Sequence, residues 1–186
     1  MQTSLEFLLF KHDDEKEYKY QITIDYMKKR AGGERKIFNW KILIFCFIIV
    51  FIVSFIGSLF TSNAVGSSWY QQIKPSITPP NWIFPIAWTV IFILIAFSMY
   101  FAWASGKRKK DIAVGFAINL ILNIVWSFFY FSLKKVNLAF VEIIFLWLSI
   151  LYLVILTWRI DRKSSYLLLP YLFWVVFAAV LNYLSI

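Results

Sequence analysis

The chain has 186 residues, 61% hydrophobic and 21% aromatic but only 16% charged, where a soluble domain carries about 25% charged residues. Its net charge of +9 lies in clusters beside long uncharged tracts, which points to membrane-side anchoring and away from nucleic acid as a partner. One cysteine, Cys46, and one histidine, His12, exclude an intrachain disulfide framework and a Cys/His metal centre, and leave a histidine-dependent triad only a residue in a polar tail.

Residues 1–40 read as a polar, basic extension, expected to be mobile and cytoplasmic. Leu5–Phe10 is short and contains Glu6, so no cleavable signal is expected. Tyr20, Ile22, Ile24 and Tyr26 alternate, but a lone strand has nothing to pair with. The basic cluster over Lys28–Lys36 suits anionic headgroups, with a partner-binding role for the tail left open.

Residues 41–186 read as a five-transmembrane-helix bundle, an all-α membrane protein. The uncharged tracts place spans at Lys41–Phe60, Trp82–Trp103, Ile112–Leu133, Val136–Trp158 and Ser164–Ser185, each close to the roughly 20 residues a bilayer core requires. Helices are the expected form because an open sheet in lipid leaves backbone groups unpaired. Basic residues precede the first span (Lys28, Lys29, Arg30, Arg35, Lys36, Lys41) and follow the second (Lys107, Arg108, Lys109, Lys110) and fourth (Arg159, Arg162, Lys163). The opposite side has only Lys74, Lys134 and Lys135. The positive-inside rule then predicts a cytoplasmic N-terminus and an outward C-terminus.

The longest connection, Thr61 to Asn81, joins the first two spans. Trp69 and Tyr70 suit headgroup depth, while Pro75, Pro79 and Pro80 stiffen the chain just before the second span. Such a loop is either a lid or a segment that simply packs on the bundle. With the spans oriented as above, Trp82, Pro85 and Trp88 fall in the outer half of the second. Asn119, Asn123, Trp126 and Tyr130 recur at helical spacing on one face of the third. Glu142 lies one to two turns below the outer surface in the fourth, and Tyr171, Trp174, Ala178 and Asn182 share a face of the fifth.

Taken singly, an asparagine in a bundle is interhelical glue and an aromatic stripe is packing. Taken together, these residues predict an apolar, aromatic cavity with a few polar groups, suited to a flat hydrophobic ligand. Glu142 adds an ionisable group inside a span, a functional candidate by default.

At these positions the sequence resembles the tryptophan-rich sensory protein/translocator protein family (TspO/MBR, including the peripheral-type benzodiazepine receptor). The resemblance rests on WYQQIKPSITPPNWIFPIAWTVIF (69–92), NLILNIVWSFFYF (119–131), LAFVEIIFLW (138–147) and LLLPYLFWVVFAAVLN (167–182). Three positions depart from the family pattern. Asn119 stands where Gln is usual, Glu142 where Asp is usual, and Ile77 where a Trp usually contributes an aromatic to the loop.

The resemblance implies a membrane receptor or translocator, commonly dimeric, binding porphyrin, haem or sterol-like molecules in an outer-half cavity, with no required cofactor. The ligand-binding candidates are Trp69, Tyr70, Pro79, Pro80, Phe84, Trp88, Asn119, Asn123, Trp126, Glu142, Trp147, Tyr171, Trp174 and Ala178. Alternatives are an enzyme that oxidatively degrades porphyrin, for which the sequence offers no strong acid/base pair, and a sterol- or lipid-binding or membrane interaction protein. Lys163, Tyr166 and Leu168 fit a reversed cholesterol pattern, too weak to carry a sterol assignment. Ala113, Gly115 and Ala117 on the third span would permit close packing with a second copy.

Overall fold

A computed structural model describes residues 17–24, 38–62 and 64–186. The chain divides into two units, Met1–Phe38 and Asn39–Ile186. In the first, residues 17–24 are helical, so Tyr20, Ile22 and Ile24 follow a helical turn rather than the alternation of a strand. His12, Leu5–Phe10, Tyr26 and the Lys28–Lys36 cluster lie outside the described residues.

The second unit consists of helices: α1 (Trp40–Thr61), short α2 (Ser68–Ile73), α3 (Ile83–Ala104), α4 (Lys109–Ser127), α5 (Val136–Trp158) and α6 (Arg162–Leu184). All but α2 are long and apolar enough to cross a bilayer, α4 together with the π-helical turn Phe128–Ser132 that continues it. Their ends carry local signals. The Asn39 side chain accepts from the amides of Lys41 and Ile42, and that of Asp161 from Lys163 and Ser164, satisfying donors that a first turn leaves open. Gly106, at φ 75°, takes the left-handed backbone that closes α3. The expected spans hold to within three residues; α4 starts earlier, at Lys109, because hydropathy does not register a charged first turn.

The spans pack as a ring in the order α1, α3, α6, α5, α4. Its core includes Ile95, Phe116, Ile150, Leu153, Leu168 and Val175. Large side chains such as Phe51 and Phe173 point outward, 71% and 69% exposed, a costly surface in water but the natural one against acyl chains. Hydroxyl and amide bonds join the helices: Ser98 and Ser164 bond Oγ to Oγ at 2.8 Å, and Asn119 Nδ2 donates to Ser149 Oγ at 2.8 Å. At the end of the bundle bearing the N-terminus of α1, the Asn39 amide donates to Tyr100 Oη at 3.1 Å.

Gly115 has a place within this packing. A Cβ there would lie 2.9 Å from Leu153 Cδ2 and 3.3 Å from Tyr152 Cε1. Its lack of a side chain therefore lets α4 approach α5 of the same chain, which takes it out of the stripe expected to face a second copy. Ala113 and Ala117 remain exposed.

A candidate ligand cavity beneath the first loop

At the end of the bundle where α1 finishes and α3 begins, a cavity of about 420 Å³ lies between α1, α3, α4, α6 and the connecting loop. Its walls are mostly aromatic. Tyr70 comes from the loop helix, Phe84, Trp88 and Phe92 from α3, and Trp126, Tyr130 and Phe131 from α4 and its π-helical turn. Ser67 caps α2 by accepting from the Tyr70 amide at 3.3 Å, which turns Tyr70 inward. Burial pushes the Tyr70 phenol up to about 12, with Tyr130 adding to the shift, so it stays a neutral hydrogen-bonding group at physiological pH.

The π-helical turn has a geometric consequence. Adjacent residues on an α-helix point about 100° apart, yet Tyr130 and Phe131 both line the cavity. The extra residue in the wider turn, closed by the Leu133 amide donating to the Phe128 carbonyl at 3.0 Å, changes the helical phase at this point. Trp126 stacks on Tyr130 with centroids 5.5 Å apart, and Trp69 meets Tyr130 edge-on at 6.1 Å.

The polar lining is uncharged. Ser54, Ser58 and Thr61 run along α1 beside Gly57, Thr78 and Asn81 come from the loop, Thr89 from α3, and Asn123 and Ser127 from α4. Ser58, Pro85 and Thr89 line the cavity and are themselves exposed, which places its opening between the end of α1 and the start of α3.

Of the ligand-binding candidates, Tyr70, Phe84, Trp88, Asn123, Trp126 and Ala178 line this cavity, as do Pro75, Pro85, Tyr130 and Asn182, which the sequence placed in the same loop and on the same helical faces. Three others stand directly behind it. Tyr171 is fully buried, accepts from Asn123 Nδ2 at 3.1 Å and meets Trp88 edge-on at 6.2 Å. Trp174 meets Phe84 edge-on at 6.0 Å. Trp69 lies under Lys134, whose Nζ is 5.5 Å from its ring centroid. Pro79 and Pro80 shape the loop without lining the cavity.

Asn119, Glu142 and Trp147 lie elsewhere. Asn119 bonds Ser149 within the closed core. Glu142 is only 6% exposed, with neither carboxyl oxygen hydrogen-bonded. Trp147 belongs to an apolar groove between α5 and α6, together with Phe140, Ile143, Val176 and Tyr183. The α1 wall was missing from the sequence reading, although Ser54, Gly57, Ser58 and Thr61 follow i, i+3, i+4, i+7 spacing on an otherwise apolar span.

No group of histidine, cysteine and acidic residues that could hold a metal occurs among the described residues. The aromatic and neutral polar side chains of the lining can stack on a ligand and hydrogen-bond to it.

Residues 45–185 match the sequence model of the TspO/MBR family. The chain belongs to the TspO/MBR family. It is similar to the tryptophan-rich protein TspO of Chlorobaculum tepidum, 37% identical over 76% of this chain and 91% of that protein. It is also similar to the tryptophan-rich protein TspO of Archaeoglobus fulgidus, 36% identical over 76% and 92%. The human translocator protein is 26% identical over 69% of this chain and 79% of its own length. The matched region takes in all five spans from the first turns of α1 onward, so this TspO/MBR protein is a multi-pass integral membrane protein.

Proposed function

We propose that this TspO/MBR protein is a membrane receptor or translocator that binds porphyrin, haem or a similarly flat hydrophobic molecule in the cavity beneath the first loop. The observation that carries this reading is the lining itself. Seven aromatic side chains, Tyr70, Phe84, Trp88, Phe92, Trp126, Tyr130 and Phe131, surround one space edged by neutral hydroxyls and amides. Extended π faces favour a flat ring system, and the volume falls within the roughly 300–1,000 Å³ typical of small-molecule sites. The translocator name of a relative is consistent with this reading.

In the orientation that the basic residues favour, the N-terminus is cytoplasmic, the C-terminus lies outside and the cavity occupies the outer half. If two copies pair, the exposed face of α4 around Ala113 and Ala117 offers close approach.

Titration of the purified protein with protoporphyrin IX tests the proposal. Saturable quenching of tryptophan fluorescence is expected, weakened at least tenfold in affinity by Trp88→Ala combined with Trp126→Ala, since each aromatic contact contributes roughly a kcal/mol. Quenching that never saturates, or that the double substitution leaves unchanged, would sink it.

A further inference from the structure

One acid lies inside a span and outside the cavity. Glu142, in the second turn of α5, is buried against the bundle. Its two carboxyl oxygens and Asn119 Oδ1 on α4 have no hydrogen-bond partner. Tyr171 of α6 is fully buried and close enough to interact with both Asn119 and Glu142. Three helices thus bring a carboxyl, an amide oxygen and a phenol together within an apolar core that includes Leu120, Leu146 and Val175.

Little in this cluster can hold a negative charge. Asn119 Nδ2 donates to Ser149 Oγ at 2.8 Å, and the Ser149 hydroxyl donates to the Leu146 carbonyl at 2.7 Å. Asn123 Nδ2 donates to Tyr171 Oη at 3.1 Å, which leaves the phenol its own proton to give. The charged residues of α4 and α6, Lys109, Lys110, Asp111, Arg162 and Lys163, lie in first turns at the opposite end of the bundle. Lys134 and Lys135, ahead of α5, are exposed, and Tyr130 of the π-helical turn donates to Ser185 Oγ. An unpaired carboxylate in such surroundings is far costlier than the neutral acid, and an ionisable group inside a span is a functional candidate by default.

We infer that Glu142 is a proton-binding site within the membrane, and that Tyr171 passes its charge state on to the cavity wall. With the proton on, Glu142 is a neutral acid. When the proton leaves, the carboxylate draws the Tyr171 hydroxyl proton as its hydrogen-bond donor. Tyr171 is bonded to Asn123, which lines the cavity, and meets Trp88 of the opposite wall edge-on at 6.2 Å. This site is separate from the lining and does not depend on what the cavity binds.

Infrared spectra of the purified full chain in lipid vesicles, without added ligand, test this directly. At neutral pH the wild-type protein is expected to show the C=O stretch of a protonated carboxyl, absent from Glu142→Gln. Glu142→Asp should move that band without removing it, which keeps the assignment readable if Glu142→Gln does not fold. Raising the pH should bleach the band, and Tyr171→Phe should carry it about one pH unit higher, the scale of one hydrogen bond to a charged group. Tryptophan emission of the wild type should change over the same pH range, and that step should vanish in Glu142→Gln or, failing that variant, shift together with the band in Glu142→Asp. A spectrum with no neutral-acid band that responds to substitution at Glu142 overturns the proton site. A band unmoved by Tyr171→Phe, or an emission that does not follow it, overturns the link to the cavity wall. Porphyrin titration reads the cavity independently of either result.

Discussion

Trp126 donates its indole N–H to Asn182 Oδ1 at 3.1 Å, while Asn182 Nδ2 donates to the Val136 carbonyl at 3.0 Å. A single buried amide therefore joins α4, the first turn of α5 and the end of α6, and fixes the plane of an indole that forms a cavity wall. The Val136 carbonyl and the Trp126 N–H are matched to the two ends of that amide, so shape alone cannot replace it.

Asn182→Leu is accordingly expected to lower the melting temperature in detergent, at a cost of about 1–2 kcal/mol, since it leaves an indole N–H without its acceptor and removes one bond from the Val136 carbonyl. Ligand affinity should fall as well, because Trp126 loses its orientation. An unchanged melting temperature would show that the amide is dispensable.

Two glycines make opposite predictions. A Cβ on Gly57 would meet only Ser127 Oγ, at 3.8 Å, and Gly57 lines the cavity. Gly57→Leu should therefore fill ligand space without harming the fold, with a gain of up to about 1 kcal/mol from helix propensity. Gly115→Val places its Cβ against the fully buried Leu153 and should cost about 1–3 kcal/mol through overpacking. Thermal unfolding and porphyrin quenching measured on both variants separate the two. A stable Gly57→Leu protein that binds as the wild type does would place the ligand elsewhere.

These contrasts mark how far the sequence could be read. The spans were legible because lipid imposes a length and excludes charge, and neither constraint depends on the partner helices. The faces carrying Asn123, Trp126 and Ala178 were legible from helical spacing. Depth was harder: Asn119 and Asn123 are one turn apart on α4, yet Asn123 lines the cavity and Asn119 bonds Ser149 in closed core. Periodicity gives a direction around the helix axis but does not say where a cavity ends. Phe131 reaches the lining through a π-helical turn within a run of aromatics, FFYFS, that carries no local signal for it. The α1 wall was written in the sequence as a stripe of small polar residues, but attention to aromatics and charges passed over it.

Glu142 has neither carboxyl oxygen hydrogen-bonded and is 6% exposed, an arrangement that stability alone does not favour. Replacing an unpartnered buried polar group with an apolar one of similar volume removes a desolvation cost. Glu142→Leu is thus expected to raise the melting temperature, by a stabilisation on the order of 1–3 kcal/mol. Because Glu142 does not line the cavity, porphyrin affinity in that variant should stay within about threefold of wild type, less than one ordinary hydrogen bond. A fall in melting temperature would mean that the carboxyl has a stabilising partner, and a large loss of affinity would bring Glu142 into the ligand site.

The proposed orientation can be tested in intact cells. Cys46 is buried and is the only cysteine, so Cys46→Ala gives a background without thiols at the cost of a small cavity. Ser76 in the first loop and Lys107 between α3 and α4 are both exposed and lie at opposite ends of the bundle. If the basic loops are cytoplasmic, a membrane-impermeant maleimide added outside should label Ser76→Cys at once and Lys107→Cys only after permeabilisation. The reverse pattern would invert the protein in the membrane and put the cavity mouth on the cytoplasmic side. The cavity's chemistry would stand, but the compartment that supplies its ligand would change.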